Sequence, residues 1–136
     1  MLKKNIKNFI EDRSGSTAVE FALVAIGFLT FVFGIFEAGR IYWSWNTLQY
    51  AVENTTRYAL THEDAEEEEL QDYVRSQMPG MSTDAGNPDI AVSWEEASGV
   101  NFIKITAVYD FDVITSFLPE KWNTLDLSAT SRLPVP

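Results

Sequence analysis

The sequence predicts an α+β chain. A long N-terminal helix begins as a transmembrane segment and continues as an amphipathic half. That half packs on a small three-stranded antiparallel sheet, joined by a second short helix. Three observations predict this. Phe21 to Phe36 is a run of 16 residues without a charge. No proline or turn cluster interrupts the chain from Ser16 to Leu60. Beyond residue 89 the apolar spacing changes from three-and-four to two, the period of strands.

The apolar run has no polar face, and Thr30 is its only polar side chain. Extended from Ala18 through Gly39, a helix rising 1.5 Å per residue covers about 33 Å, enough for a hydrocarbon core of about 30 Å. A helix apolar on every side belongs in lipid or deep inside a large protein, and a chain of 136 residues has little deep interior. A buried core helix is the alternative.

Residues 1–15 read as a short cytoplasmic leader, apolar in part through Ile6, Phe9 and Ile10. Its Lys3, Lys4, Lys7 and Arg13 outweigh Glu11 and Asp12, a balance of +2, whereas Ser16 onward holds 6 basic and 18 acidic residues, a balance of −12. Basic flanks stay on the cytoplasmic side. The leader is therefore expected inside and the acidic bulk outside the inner membrane. Residues 16–60 are expected to form one helix, transmembrane over about 18–39 and amphipathic over 40–60. Ile41, Trp45, Leu48, Val52, Thr55 and Ala59 form its buried stripe. Glu37 and Arg40, an i,i+3 pair, and Tyr42 and Trp43, rings suited to the headgroup level, are the expected interface anchors. Packing of these rings on the outer domain is the alternative, and it is the one expected for Trp45. Gly27, Gly34 and Gly39 are places to kink the helix or to bring helices close.

Residues 61–136 read as a small periplasmic α+β domain. Thr61 followed by Asp64 suggests a capping box opening a second helix at about 64–78, with an acidic first turn and Pro79-Gly80 at its end. A loop follows at 79–89. Strands are expected at Ile90–Trp94, at Phe102–Phe111, and from Leu125 to Arg132, with Ser98-Gly99 inside the first connection. Phe117, Leu118, Pro119 and Trp122 mark an apolar loop or helical turn. The sheet has one apolar face, and the helical stripe is its available cover.

Glu20 stands at the start of the greasy run and Gly15 five residues before it. A charge inside a bilayer costs roughly 2.5–3.5 kcal/mol on insertion scales, so it has a role or lies near the interface. A secretory signal peptide places its small-residue cut site after the apolar core. Here Gly15 and Ser16 come before it, so a cut would remove only the leader and leave the span attached.

Gly15-Ser16-Thr17-Ala18-Val19-Glu20-Phe21 resembles the prepilin-peptidase site of type IVb pilins and pseudopilins: glycine, four residues, glutamate, an aromatic. Together with Ala22-Leu23-Val24, Gly34 to Arg40, and Ala51 followed by Arg57-Tyr58-Ala59, it resembles TadE-like proteins of the tight-adherence (Tad/Flp) pilus system. The resemblance is dense from about Arg13 to Ala59. It implies a pilin-like fold and a minor pilin or pseudopilin taking part in assembly of Tad/Flp pili. It also implies a cut after Gly15 by prepilin peptidase, and pairing of Glu20 with the new Ser16 amine of a neighbouring subunit. Implied partners are that peptidase, other Tad/Flp pilins and pseudopilins, and the inner-membrane assembly platform. The alternative is an uncut, signal-anchored membrane protein whose periplasmic domain binds a partner, with Glu20 snorkelling to the inner interface.

Other functions are disfavoured. The absence of cysteine removes disulfides and thiolate metal sites. The acidic bulk would repel nucleic acid. His62 is the only histidine and no nucleophile elbow, HExxH or phosphate-cradling loop is present, so neither enzyme activity nor a cofactor is expected. The acidic run after Thr61 lacks the spacing of a calcium loop, and no metal is expected there.

Overall fold

The computed structural model describes residues 14–62, 64–81, 87–114 and 124–135. Most of the leader and the residues Phe117, Leu118, Pro119 and Trp122 lie outside the described residues. Helix α1 spans Ser14–Thr61 and α2 spans Glu67–Ser76. Strands β1 (Asp89–Ala97), β2 (Val100–Asp112) and β3 (Thr124–Pro134) form one antiparallel sheet in the order β1-β2-β3. The α+β class and the order of elements agree with the sequence reading. The chain divides into two compact units, Met1–Ala38 and Gly39–Pro136.

In the first unit, α1 presents every large apolar side chain outward. Phe21, Leu23, Val24, Ile26, Phe28, Phe31, Phe33 and Phe36 are all exposed. The most apolar 18-residue window of this helix has a mean hydropathy of 2.3, and none of it is buried. That disposes of the core-helix alternative within this chain and leaves a candidate membrane span. The hydroxyl of Thr30 donates to the Ile26 carbonyl at 2.8 Å, which satisfies the one polar side chain of the run. The helical assignment runs unbroken through Gly27, Gly34 and Gly39.

In the second unit, the continuation of α1 covers the sheet. Leu48, Ala51, Val52 and Ala59 of α1, Leu70 and Val74 of α2, Met78, and the sheet residues Ile90, Ile103, Ile105, Ala107, Tyr109, Phe111, Leu127 and Ala129 make one core. On β2 the buried residues are the alternating set that the sequence indicates, from Ile103 to Phe111. Thr55 and Thr56 are fully buried, and their hydroxyls donate to the carbonyls of Ala51 and Val52 at 2.8 Å each. No buried hydroxyl is left unsatisfied at that contact, where an orphan would cost about 1–3 kcal/mol.

The buried face of α1 is turned from the expected stripe. Ser44, Ala51 and Thr56 are buried, whereas Trp45 is 42% exposed. Small side chains let the helix approach the sheet, and the indole moves to the rim, where its Nε1–H donates to the Ser128 carbonyl at 3.2 Å. The capping box does not form. Thr61 instead closes α1 by donating to the Tyr58 carbonyl at 2.9 Å. Helix α2 opens at Glu67, after an extended Glu66 without a side-chain cap, and carries Glu67, Glu68 and Glu69 in its first turn. The β1–β2 hairpin is tighter than expected. Ala97 pairs with Val100 across Ser98 and Gly99, whose φ angles of 55° and 75° give the primed turn that suits strand twist.

Each outer strand has a backbone carbonyl engaged by a helix side chain. Gln71 of α2 donates to Ile90 of β1 at 3.3 Å, and Trp45 of α1 donates to Ser128 of β3.

Candidate functional site

Gly15 and Ser16 lie in the first turn of α1, and a Cβ added at Gly15 would meet nothing within 4 Å. Glu20 follows one turn later. Residues four apart share a helix face, and the Ser16 hydroxyl donates to Glu20 Oε1 at 3.3 Å. Glu20 is exposed and Phe21 is 74% exposed. The four residues singled out in the sequence are thus brought onto accessible helix surface. The carboxylate's neighbour there is the hydroxyl of the residue that a cut after Gly15 would make the new amino terminus.

The residues expected at the outer interface have different surroundings. Glu37 is buried. The Arg40 guanidinium lies 4.8 Å from the centre of the Phe111 ring, a cation–π contact from α1 to β2. Tyr42 is exposed, and Trp43 is half exposed. Gly80, at a φ of +75° that favours glycine, lies close to the Trp43 ring: an added Cβ would come within 3.5 Å of it. Trp43, Arg40, Ser44, Gly80, Met81, Tyr109, Phe111 and Asp112 line a cleft of about 330 Å³.

Residues 15–57 match the model of the TadE-like protein family. The matched TadE-like segment runs from Gly15 to Arg57 and lies wholly on α1. No curated protein and no solved structure matches the chain. The TadE-like family is associated with the tight-adherence pilus, and its members are structural proteins. The matched segment lies within the candidate membrane span found among the described residues, Gly15–Thr61.

Two clusters outside the TadE-like segment went unnoticed in the sequence. On the open face of the sheet, Lys104 and Arg132 both reach Glu95, at 3.1 and 3.2 Å, and Arg132 stacks 3.7 Å above the Phe102 ring. The hydrogen bond from Lys104, with the two positive charges, holds the Glu95 carboxyl below its ordinary range. At the end of α1, the rings of Tyr58, His62 and Tyr73 stack at 3.9 and 4.3 Å. The Tyr58 hydroxyl donates to Glu69 at 2.9 Å, which pushes that phenol's pKa upward. His62 is exposed, and its Nδ1 bonds the Tyr58 carbonyl at 3.1 Å. Both clusters join segments distant in the chain and depend on strand register and helix docking. The only sequence signal was alternation that places Lys104 on the polar face.

Proposed function

We propose that the chain is a minor pilin or pseudopilin of the Tad/Flp system. It is inserted with its leader in the cytoplasm and its acidic domain in the periplasm, and is processed by prepilin peptidase after Gly15. The observation that carries this reading is the placement of Gly15, Ser16, Glu20 and Phe21. They lie at the accessible start of an outward-facing apolar helix, inside the TadE-like segment.

The physical role of Glu20 follows from its surroundings. A carboxylate at the head of a lipid-facing helix is costly to desolvate. A cut after Gly15 turns Ser16 into a positively charged terminus. Opposite charges attract more strongly in a low-dielectric helix bundle than in water, so a neighbour's Ser16 amine would offset the cost. Such a pair would also fix the axial register of one subunit against the next. The mature subunit would keep its span, join other Tad/Flp pilins and the assembly platform in the inner membrane, and enter or prime the pilus. The rival is the uncut anchor, in which Glu20 only meets the inner interface.

Mass spectrometry of the membrane-extracted protein from cells with active peptidase separates the two. A mature chain beginning at Ser16 is expected; an intact segment from Met1 to Arg13 would establish the anchor instead. Glu20→Ala should leave insertion unchanged and weaken crosslinking to other pilins by about tenfold, the worth of a partly desolvated pair near 1.4 kcal/mol. Undiminished crosslinking would remove the pairing role.

A further inference from the structure

We infer that the open face of the sheet docks a second copy of this chain, the positive end of one face meeting the negative end of the other.

The polarity of this face is written in the strand register. Strands β2 and β3 present four successive outward rungs: Lys104 opposite Arg132, Thr106 opposite Thr130, Val108 opposite Ser128, and Asp110 opposite Asp126. Two cations stand at one end and two carboxylates at the other, separated by six residues, about 20 Å of strand. Like charges directly across a strand pair repel. Strand β1 relieves the positive rung in part. Glu95 meets Lys104 at 3.1 Å and the Nε of Arg132 at 3.2 Å, one carboxylate for two cations, and those cations stay 38% and 41% exposed. The Phe102 ring holds the Arg132 guanidinium flat, and its terminal nitrogens have no partner among the described residues. A guanidinium fixed in this way loses little freedom on meeting a further carboxylate. The negative rung has no comparable relief. Asp110 and Asp126 are exposed, Asn87 bonds the backbone of Asp110, and neither aspartate is in an ion pair among the described residues.

The same face on a second copy supplies what each end lacks. Its Asp110 and Asp126 complement Lys104 and Arg132, and the reverse also holds. A small ion would satisfy one end alone. At −10 overall the chain repels a copy of itself at long range, so a self-contact must pass through positive surface, and on this rung two cations adjoin. The rungs between the ends carry threonine, valine and serine, short side chains that admit the spacing of stacked sheets, about 10 Å. Exposed ion pairs are individually weak, so the contact joins copies that are already concentrated, and salt loosens it.

The test is carbodiimide coupling of amines to carboxylates in membranes of cells that co-express two differently tagged full chains. One copy keeps Lys104 and carries Asp110→Asn with Asp126→Asn; the other keeps both aspartates and carries Lys104→Arg. A mixed-tag product with Lys104 joined to Asp110 or Asp126 is expected, and about 0.5 M NaCl should lower its yield about fivefold. Asp110→Asn with Asp126→Asn in both copies should abolish that product without lowering the urea midpoint of the domain, because the substitutions relieve a like-charge rung. Asp110→Lys with Asp126→Lys in the second copy should also abolish mixed-tag coupling, and Lys104→Glu with Arg132→Glu in the first should then restore it. Lys104 joined solely to Glu95 of its own copy, or to carboxylates on α2 of the other, overturns the docking face. So does a mixed-tag product that survives the loss of both aspartates. A lowered urea midpoint would assign the aspartates to folding instead and overturn it too. None of these outcomes depends on which residue begins the mature chain.

Discussion

From Gly15 to Ala38, α1 turns its valine, leucine, isoleucine and phenylalanine side chains outward; from Gly39 to Thr61 it buries Leu48 and Val52 and partly buries Ile41 and Leu60. Backbone and hydrogen bonding are the same in both halves. The difference is where each half finds an apolar surrounding. The first half has Phe, Leu, Val and Ile on all sides, none of them buried against the described residues, and is a candidate membrane span. The second mixes Leu48, Ala51, Val52 and Ala59 with Asn46, Glu53 and Arg57, and one side is enough to hold a sheet. One helix therefore serves two solvents, and the same substitution should have opposite kinds of consequence in its two halves.

A charge gives the sharpest break. Val52→Asp places a carboxylate at a position with no exposure, and should cost on the order of 5 kcal/mol, as much as a small domain's whole stability. Limited proteolysis should show the outer domain cleaved while the protein remains in the membrane fraction. Leu29→Asp should do the reverse. It opposes insertion by about 3 kcal/mol at the helix centre and leaves the domain's protease resistance unchanged. If both variants lose the same property, the division between the halves is wrong.

Truncation gives a smaller and more graded contrast. Leu48→Ala removes a fully buried side chain and should destabilise the domain by about 2–5 kcal/mol in urea, followed by tryptophan fluorescence. Leu29→Ala should not shift the same transition, because Leu29 is exposed within the first unit.

The smallest effect lies on the sheet face away from the helix. Glu95 is held below its ordinary value of 4.5 by the hydrogen bond from Lys104, so the charged form is favoured in the folded state. That contribution is complete above pH 4.5 and fades as pH falls through the lowered value. The gap in Tm between wild type and Glu95→Gln should be slight at pH 7, as for exposed ion pairs, and should close once the pH falls below that lowered value. A gap that widens on acidification would contradict the ion-pair assignment.

How much of this was legible in the sequence depended on whether a feature is local. The uninterrupted helix, the alternation of β2 and the turn at Ser98-Gly99 follow from neighbours in the chain, and the structure has all of them. The rotation of α1 about its axis does not follow, because it depends on which side chains let the sheet come close; spacing alone ranked Trp45 with Leu48. The capping box failed for a related reason. Thr61 had two possible duties, closing α1 or opening α2, and the run of α1 to its last turn decided for the first. Glu95 with Lys104 and Arg132 needed the register of all three strands. At the proposed processing site, the spacing from Gly15 to Glu20 was readable in full. The bond from Ser16 to Glu20 needed the helix to start as early as Ser14.

The engaged outer carbonyls of Ile90 and Ser128 have a consequence for how such subunits can join. A three-stranded sheet has two open borders, each able to recruit strands from neighbouring molecules without limit. Here one glutamine and one indole interrupt those borders partway along. Sideways growth by strand addition is thereby discouraged.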